Sequence, residues 1–448
     1  MHFVIRPDSE FLRANRYTSL AHVPFLVADD GTYPAEANRY LRARSLCEWA
    51  LRLGTDAPEP VNRPQLAFLT VASCISTARL LKTFLNWIEI TDRNWRQVDY
   101  RNDLLAWQEG LRKGTASESR RPISAAAINL LIAEACYFLT WASLVPKDEH
   151  GEASRGPFLV PVDTVRVSIR AGRSSRKQTR EVDRRGAQLQ SKTRRSIALP
   201  SNEQVAKWMR AMRLRFEVKS LMAELILDAG IRISEANQME VDTLPPKSKW
   251  IVIGGKLQVW IHRGVKGKKV TPDSVEAVRG RWIAISLDVA EKIDHYCNFT
   301  REFQLRQWIR NGKTKEEQIR RARSPKPKRL WLSEDSNQPF NNVQLYRAWT
   351  ETAHCPENWH PHKGREWFCV EKVVQWLRDD LKATKTNRVP ELTWLQGAMR
   401  EQVKILLQPE LGHASDETTM LYLRAAHLQL IEIFGSPTLR WQEHCDQD

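Results

Sequence analysis

The run from Ala125 to Val145 constrains this chain most, because Glu134 is the only charged residue in it. A segment of that length can cross a bilayer or form the central helix of a core. Asn129 and Glu134 interrupt it, and a carboxylate in mid-membrane is costly. Ile128, Leu131, Ile132, Ala135, Phe138 and Leu139 recur at helical spacing, Ser124 stands where a cap belongs, and Pro146 follows the end. The pattern predicts a buried helix of a soluble domain, with no membrane partner.

At 448 residues the length suggests about three domains. Hydrophobic residues at 42% and charged residues at 27% exclude a disordered chain, a collagen-like fibre and a disulfide-stapled miniprotein. The seven cysteines (Cys47, Cys74, Cys136, Cys297, Cys355, Cys369, Cys445) are odd in number, scattered and without a CxxC pair. That predicts reduced thiols in a cytoplasm. The opening MHFVIRPDSEFLR carries charges too early for a signal peptide.

The formal charge of +16 points to a polyanionic partner, nucleic acid first. The excess is concentrated. Thr164 to Arg195 holds eleven Lys/Arg against two acidic residues, and Arg301 to Arg329 holds eleven against three. The first segment has few large apolar residues and reads as a basic linker that either stays solvated or straps a phosphate backbone. Its candidate contacts are Arg170, Arg173, Arg176, Lys177, Arg184 and Arg185. The second reads as a partly helical surface insertion.

Residues 1–60 show no strong period and read as an N-terminal extension of unknown role. Residues 61–150 read as a helical domain, with helices near Thr77 to Ile88 and Leu104 to Arg112 and then the apolar helix. Residues 151–197 are the basic linker. Residues 198–436 mix types: helices at Glu203 to Arg213 and Phe216 to Ala229, strands at Trp250 to Ile253, Gln258 to His262 and Trp282 to Ile285, a helix at Val289 to Phe303, and a strand at Arg329 to Leu332. Residues 437–448 are a tail. The fold class is mainly α with a small β-sheet, α+β. Of the 17 tryptophans, Trp87 and Trp141 are the clearest core residues.

Four separated stretches carry chemistry. In LILDAGIRISEANQMEV a helix stops at Gly230, Arg232 follows in a tight turn, and Ser234 can cap a new helix with Glu235 in its first turn. In IHRGVKGKKV, Lys266 sits between two glycines in a β-hairpin, with Lys256, Lys268 and Lys269 as close competitors for its place and Lys268 and Lys269 as candidate DNA contacts. In HPHKGREWF, His362 and Arg365 share a helix face. In LGHASDETTMLYL, His413 precedes a helix capped by Ser415 or Asp416 that contains Tyr422. Singly, each has an ordinary explanation: a charge at a helix end, a solvated lysine, surface residues, a core tyrosine.

Jointly and in this order, these stretches resemble the tyrosine recombinase (phage integrase) family, whose pattern is an Arg in a G-[LI]-R-[IV]-S-E turn, a hairpin Lys, H-x-x-R, and L-G-H followed nine residues later by Tyr. The resemblance covers roughly residues 63 to 435. It implies an all-helical SAM-like core-binding domain followed by the recombinase catalytic domain. Tyr422 would be the nucleophile, Arg232 and Arg365 the phosphate clamp, Lys266 the general acid, and His362 and His413 hydrogen-bonding or proton-transfer groups, with Glu235 and Glu366 supporting. Glu366 replaces the family's second His after H-x-x-R, and the interval from Arg365 to His413 is longer than usual. No cofactor or metal is implied, because Arg and Lys do the charge work.

The partners implied are double-stranded DNA held in a C-shaped clamp, and the chain itself, monomeric alone and tetrameric on two DNA sites, with room for accessory proteins. The insertions favour a mobile-element integrase. A type IB topoisomerase-like enzyme and a non-catalytic DNA-binding relative are the alternatives. A His/Cys group at His354, Cys355, His360, His362 and Cys369 has no spacing of a closed zinc site.

Overall fold

The apolar run forms the helix at the centre of an aromatic-rich core. The computed structural model describes residues 1–48, 69–117, 119–144, 155–170, 177–190, 197–266, 276–333, 338–383 and 416–434. The chain divides into two compact units, Met1–Thr193 with Thr271–Asp273, and Arg194–Val270 with Ser274–Asp448.

In the first unit, β1 (His2–Ile5) pairs antiparallel with β2 (Phe25–Ala28), flanking α1 (Ser9–Ala14). Helices α2 (Ala35–Ser45), α3 (Val71–Ile90), α4 (Leu105–Lys113) and α5 (Ala125–Leu144) follow, with a π-helical turn, Tyr100–Leu104, opening α4. α5 is long and apolar enough to cross a membrane, but Ile128, Leu131, Ile132, Ala135, Phe138 and Leu139 are buried against Leu81, Phe84, Trp87 and Trp107. Each such side chain contributes about 1.5–3 kcal/mol by leaving water. Trp87 and Trp141 are core residues, as expected.

Residues before α3 share this core. Leu26, Ala37, Tyr40 and Leu41 are buried in it, and the Asn38 side chain bonds both the N–H and the C=O of Leu26. Periodicity missed Leu26 because its strand is only four residues long, and Ala37, Tyr40 and Leu41 because the apolar residues of α2 are few and set among arginines. The basic segment is not an irregular tether: β3 (Val162–Arg170) and β4 (Lys177–Arg185) form an antiparallel hairpin. Val165, Val167 and Ile169 alternate along β3, a strand signal masked by the charges between them. The register sets Arg166 opposite Glu181 and Asp163 opposite Arg184.

In the second unit, α6 (Asn202–Arg215) and α7 (Glu217–Ala229) precede the five-residue α8 (Ile233–Asn237). A three-stranded antiparallel sheet follows, in the order β5 (Val252–Ile253), β6 (Lys256–Arg263), β7 (Glu276–Ser286). Leu257, Val259, Ile261, Ile283 and Ile285 alternate inward onto Met222, Leu225 and Ile226 of α7. α9 (Leu287–His295) runs through a π-helical turn into α10 (Arg301–Arg310), and α11 (Lys315–Arg323) follows. Arg301 is buried and donates to the carbonyls of Leu330, Pro327 and Arg329, anchoring the second basic segment, while α11 buries nothing. Arg329 and Leu332 make isolated bridges, to Glu240 and Pro339, and not the continuous strand expected there.

α12 (Asn342–Glu351) and α13 (Pro361–Ala383) complete the core with α14 (Asp416–Phe434). Trp208, Trp349 and Trp359 pack with ring centroids 4.6–5.7 Å apart. α13 and α14 bury Phe368, Cys369, Val373, Leu377, Tyr422, Leu423, Ala426 and Leu430 between them. The structure is α+β, helical with small antiparallel sheets.

Candidate active site

The site grows from the stop of α7. Gly230 has φ +60°, and a Cβ there would lie 2.2 Å from Cδ1 of Phe368, so this turn fits against α13 only as glycine. Arg232, two residues on, is the N-cap of α8. The expected cap, Ser234, is instead inside the helix. Glu235 takes over the capping, its Oε2 accepting the Arg232 N–H at 2.7 Å. The Ser234 hydroxyl donates to the Gly264 carbonyl at 3.0 Å.

Glu235 is the centre of the cluster, 1% exposed. Arg281 donates to both its oxygens, at 2.6 and 2.8 Å, and Arg232 Nη1 reaches Oε1 at 3.0 Å. Arg365 Nη1 lies 3.9 Å from Oε2 and donates to the Gly230 carbonyl at 2.6 Å. Burial opposes the charge on Glu235, but Arg281 and Arg232 outweigh it and hold the carboxyl below the usual range. Burial first, and then the charge of Arg232, pulls Arg365 down to about 10, so it stays cationic at neutral pH. Three guanidiniums around one carboxylate leave surplus positive charge. Arg232, 20% exposed at its side chain, carries it toward solvent. Such a cluster suits a phosphate.

The β6–β7 hairpin touches this cluster directly. A Cβ on Gly264 (φ +68°) would lie 2.2 Å from the Ser234 carbonyl oxygen. Lys266 follows two residues later and is exposed. Lys256 begins β6, at the far end of the strand from Gly264, which separates it from Lys266.

His362 and Arg365 share the first turns of α13 but differ in burial. The His362 side chain is 64% exposed, Arg365 essentially enclosed. Partial dehydration, with Arg365 and Arg232 nearby, lowers the His362 pKa, favouring the neutral ring. Glu366 is buried, 2.9 Å from Lys363 Nζ and 3.8 Å from His362 Nε2. Tyr422, 3% exposed, lies in the α13–α14 layer and hydrogen-bonds to Cys369, one turn beyond Arg365. Burial above all, with Cys369 adding, raises its phenol well above the usual value, while Arg365 works the other way.

The structure therefore brings together Arg232, Glu235 and Arg365, with Lys266, His362, Glu366 and Tyr422 on the elements that touch them. Sequence reading missed Arg281 and Lys363. Alternation along RGRWIAI could have flagged Arg281 as an inward cation, whereas nothing in the sequence marks Lys363. His413, Lys268, Lys269, Arg173 and Arg176 lie outside the described residues, as does Ser415. Arg170 and Lys177 are register partners at one end of the β3–β4 hairpin, and Arg184 and Arg185 are at the other. In the His/Cys group, Cys355 donates to the Trp359 carbonyl and His360 stacks between Tyr346 and His362. Among the described residues no three metal-ligating side chains converge.

No protein-family model and no curated protein matches the sequence. Similar solved structures include XerH site-specific recombinase bound to a palindromic difH substrate in a post-cleavage complex, at 15% identity over 83% of this chain and 80% of that one, TM-score 0.46. A lambda integrase(75-356) dimer bound to a COC' core site is similar at 13% identity over 82% and 90%, TM-score 0.39. The Tn1549 transposon integrase (aa 82-397) in complex with circular intermediate DNA is similar at 12% identity over 86% and 95%, TM-score 0.38.

Proposed function

We propose that this protein is a tyrosine recombinase, cutting and rejoining duplex DNA at specific sites through a 3′-phosphotyrosine on Tyr422, in the service of a mobile genetic element. The observation that carries this reading is the tethering of Arg232 and Arg365 about one buried carboxylate, beside the helix that bears a tyrosine. A phosphodiester carries one negative charge, and its pentavalent transition state gains another. Guanidiniums held in place beforehand stabilise that gain without reorganising.

The Tyr422 oxygen would attack phosphorus in line with the departing 5′-oxygen. Lys266 would protonate that oxygen, and the neutral His362 ring would accept the phenol proton. His413 would donate to a non-bridging oxygen. Burial raises the Tyr422 phenol well above its usual value while the charge of Arg365 favours the phenolate, so attack would need removal of its proton by a base such as His362. The phosphotyrosine conserves the bond energy, so rejoining is the same step reversed. The protein would act as a tetramer on two DNA sites.

Covalent trapping tests this. Nicked duplexes from the DNA flanking the protein's own gene are mixed with wild type and with Tyr422→Phe and resolved on a denaturing gel. A protease-sensitive shifted band with wild type alone is expected. A band that persists in Tyr422→Phe overturns the nucleophile. Salt-sensitive duplex binding without any band favours a binding protein.

A further inference from the structure

Two tryptophans stand apart from the buried ones. Trp260 and Trp282 are 43% and 53% exposed, whereas Trp107, Trp208, Trp331, Trp349 and Trp359 are fully buried. They are register partners on β6 and β7, on the sheet face opposite the core. Their rings meet edge to face, with centroids 5.4 Å apart and planes at 64°. The Trp260 ring lies over Gly280, where a Cβ would fall 2.6 Å from it. His262 follows on β6 at the irregularity between Ile261 and Arg263, and the exposed Arg279 flanks Gly280. The outward positions Gln258, Trp260, Gly280, Trp282 and Ala284 carry no carboxylate. Glu276, at the start of β7, is paired with Arg263 at 2.5 Å.

We propose that this outer face of β6–β7 is a stacking platform for unpaired nucleobases of single-stranded DNA. Bases inside a duplex are already stacked on each other, whereas an unstacked base offers a π-face to an exposed indole on a sheet. The exposed Arg279 beside Gly280 and the absence of carboxylates among those outward positions match a phosphate backbone. The same features disfavour a basic protein partner. This goes beyond the strand-transfer reading and does not depend on it, because no residue of the Glu235 cluster takes part.

The test uses the full-length protein and a fluorescent oligothymidylate, with anisotropy and tryptophan quenching followed across a salt series. A duplex of equal length is the control, and sedimentation monitors self-association. In the double variant Trp260→Leu/Trp282→Leu, which keeps apolar bulk, oligothymidylate affinity should fall about ten-fold or more. Double Phe should recover most of it, and duplex affinity should change less than about two-fold, since duplex contacts are to phosphates. Arg279→Gln should flatten the salt dependence. Tyr422→Phe should bind the oligonucleotide like wild type, so failed strand transfer and failed stacking are read separately. Unchanged oligothymidylate binding in the folded Leu variant overturns the proposal, as does a self-association that this variant abolishes without affecting the oligonucleotide. Should the Leu variant unfold, an unchanged salt slope in Arg279→Gln overturns it instead.

Discussion

Glu134 in the first unit and Glu235 in the second are both buried, and the two units treat them in opposite ways. In the first unit Glu134 accepts the Tyr40 hydroxyl inside an aromatic core, and burial raises its pKa. In the second, Glu235 is buried as deeply, but Arg281 and Arg232 keep it ionised. A carboxyl enclosed by rings behaves as a hydrogen-bonding group that prefers its proton. The same carboxyl enclosed by guanidiniums becomes a fixed negative centre that aligns cations. The first serves a fold and the second a site.

Glu235→Gln should break this contrast most severely. It strands Arg281 in a buried position and releases Arg232, at a cost of about 3–5 kcal/mol. Chemical denaturation should show it as a lower midpoint for the second unit, with strand cleavage lost. Gly264→Ala follows, at about 2 kcal/mol or more, because it combines a left-handed backbone with a contact against Ser234 that cannot relax. Its expected signature is reduced cleavage with duplex affinity kept.

Acid separates the two units without mutation. Glu235, with a depressed folded pKa, contributes stability above the ordinary glutamate value of about 4.3 and loses it as pH falls through the folded value. Glu134, with a raised one, contributes fully below the ordinary value and loses that contribution as pH rises through its folded value. Hydrogen exchange followed down the pH scale should weaken first around α8 and last in α5. The same loss in both helices would remove the distinction. The smallest effect belongs to Glu134→Gln, which keeps an acceptor for Tyr40 and should cost about 1 kcal/mol by thermal melting.

This contrast was only half legible in the sequence. The long helices were, because α3, α5, α6 and α7 carry repeating apolar faces and clear ends. The turn at Gly230, the pairing of His362 with Arg365 and the helix around Tyr422 could also be read as local spacing. Alternation could mark Arg281 as an inward cation but not name its partner, because that depends on a sheet register that brings it to a carboxylate 46 residues away. β1 and β2 were too short to show alternation, and the charges along β3 and β4 hid theirs. Ser234 looked like a cap by residue type, but a shared carboxylate claimed that position from within the helix.

Strand β7 ties two surfaces to one piece of backbone. Arg281 points inward to Glu235 while Trp282, its neighbour, points outward. Inserting or deleting one residue between Trp282 and Ser286, where the pairing with β6 is continuous, would exchange their sides, putting an indole against the carboxylate and a guanidinium on the open face. Drift in this strand is thus limited to substitution, and its length and phase relative to β6 should stay fixed even where the loops around it grow.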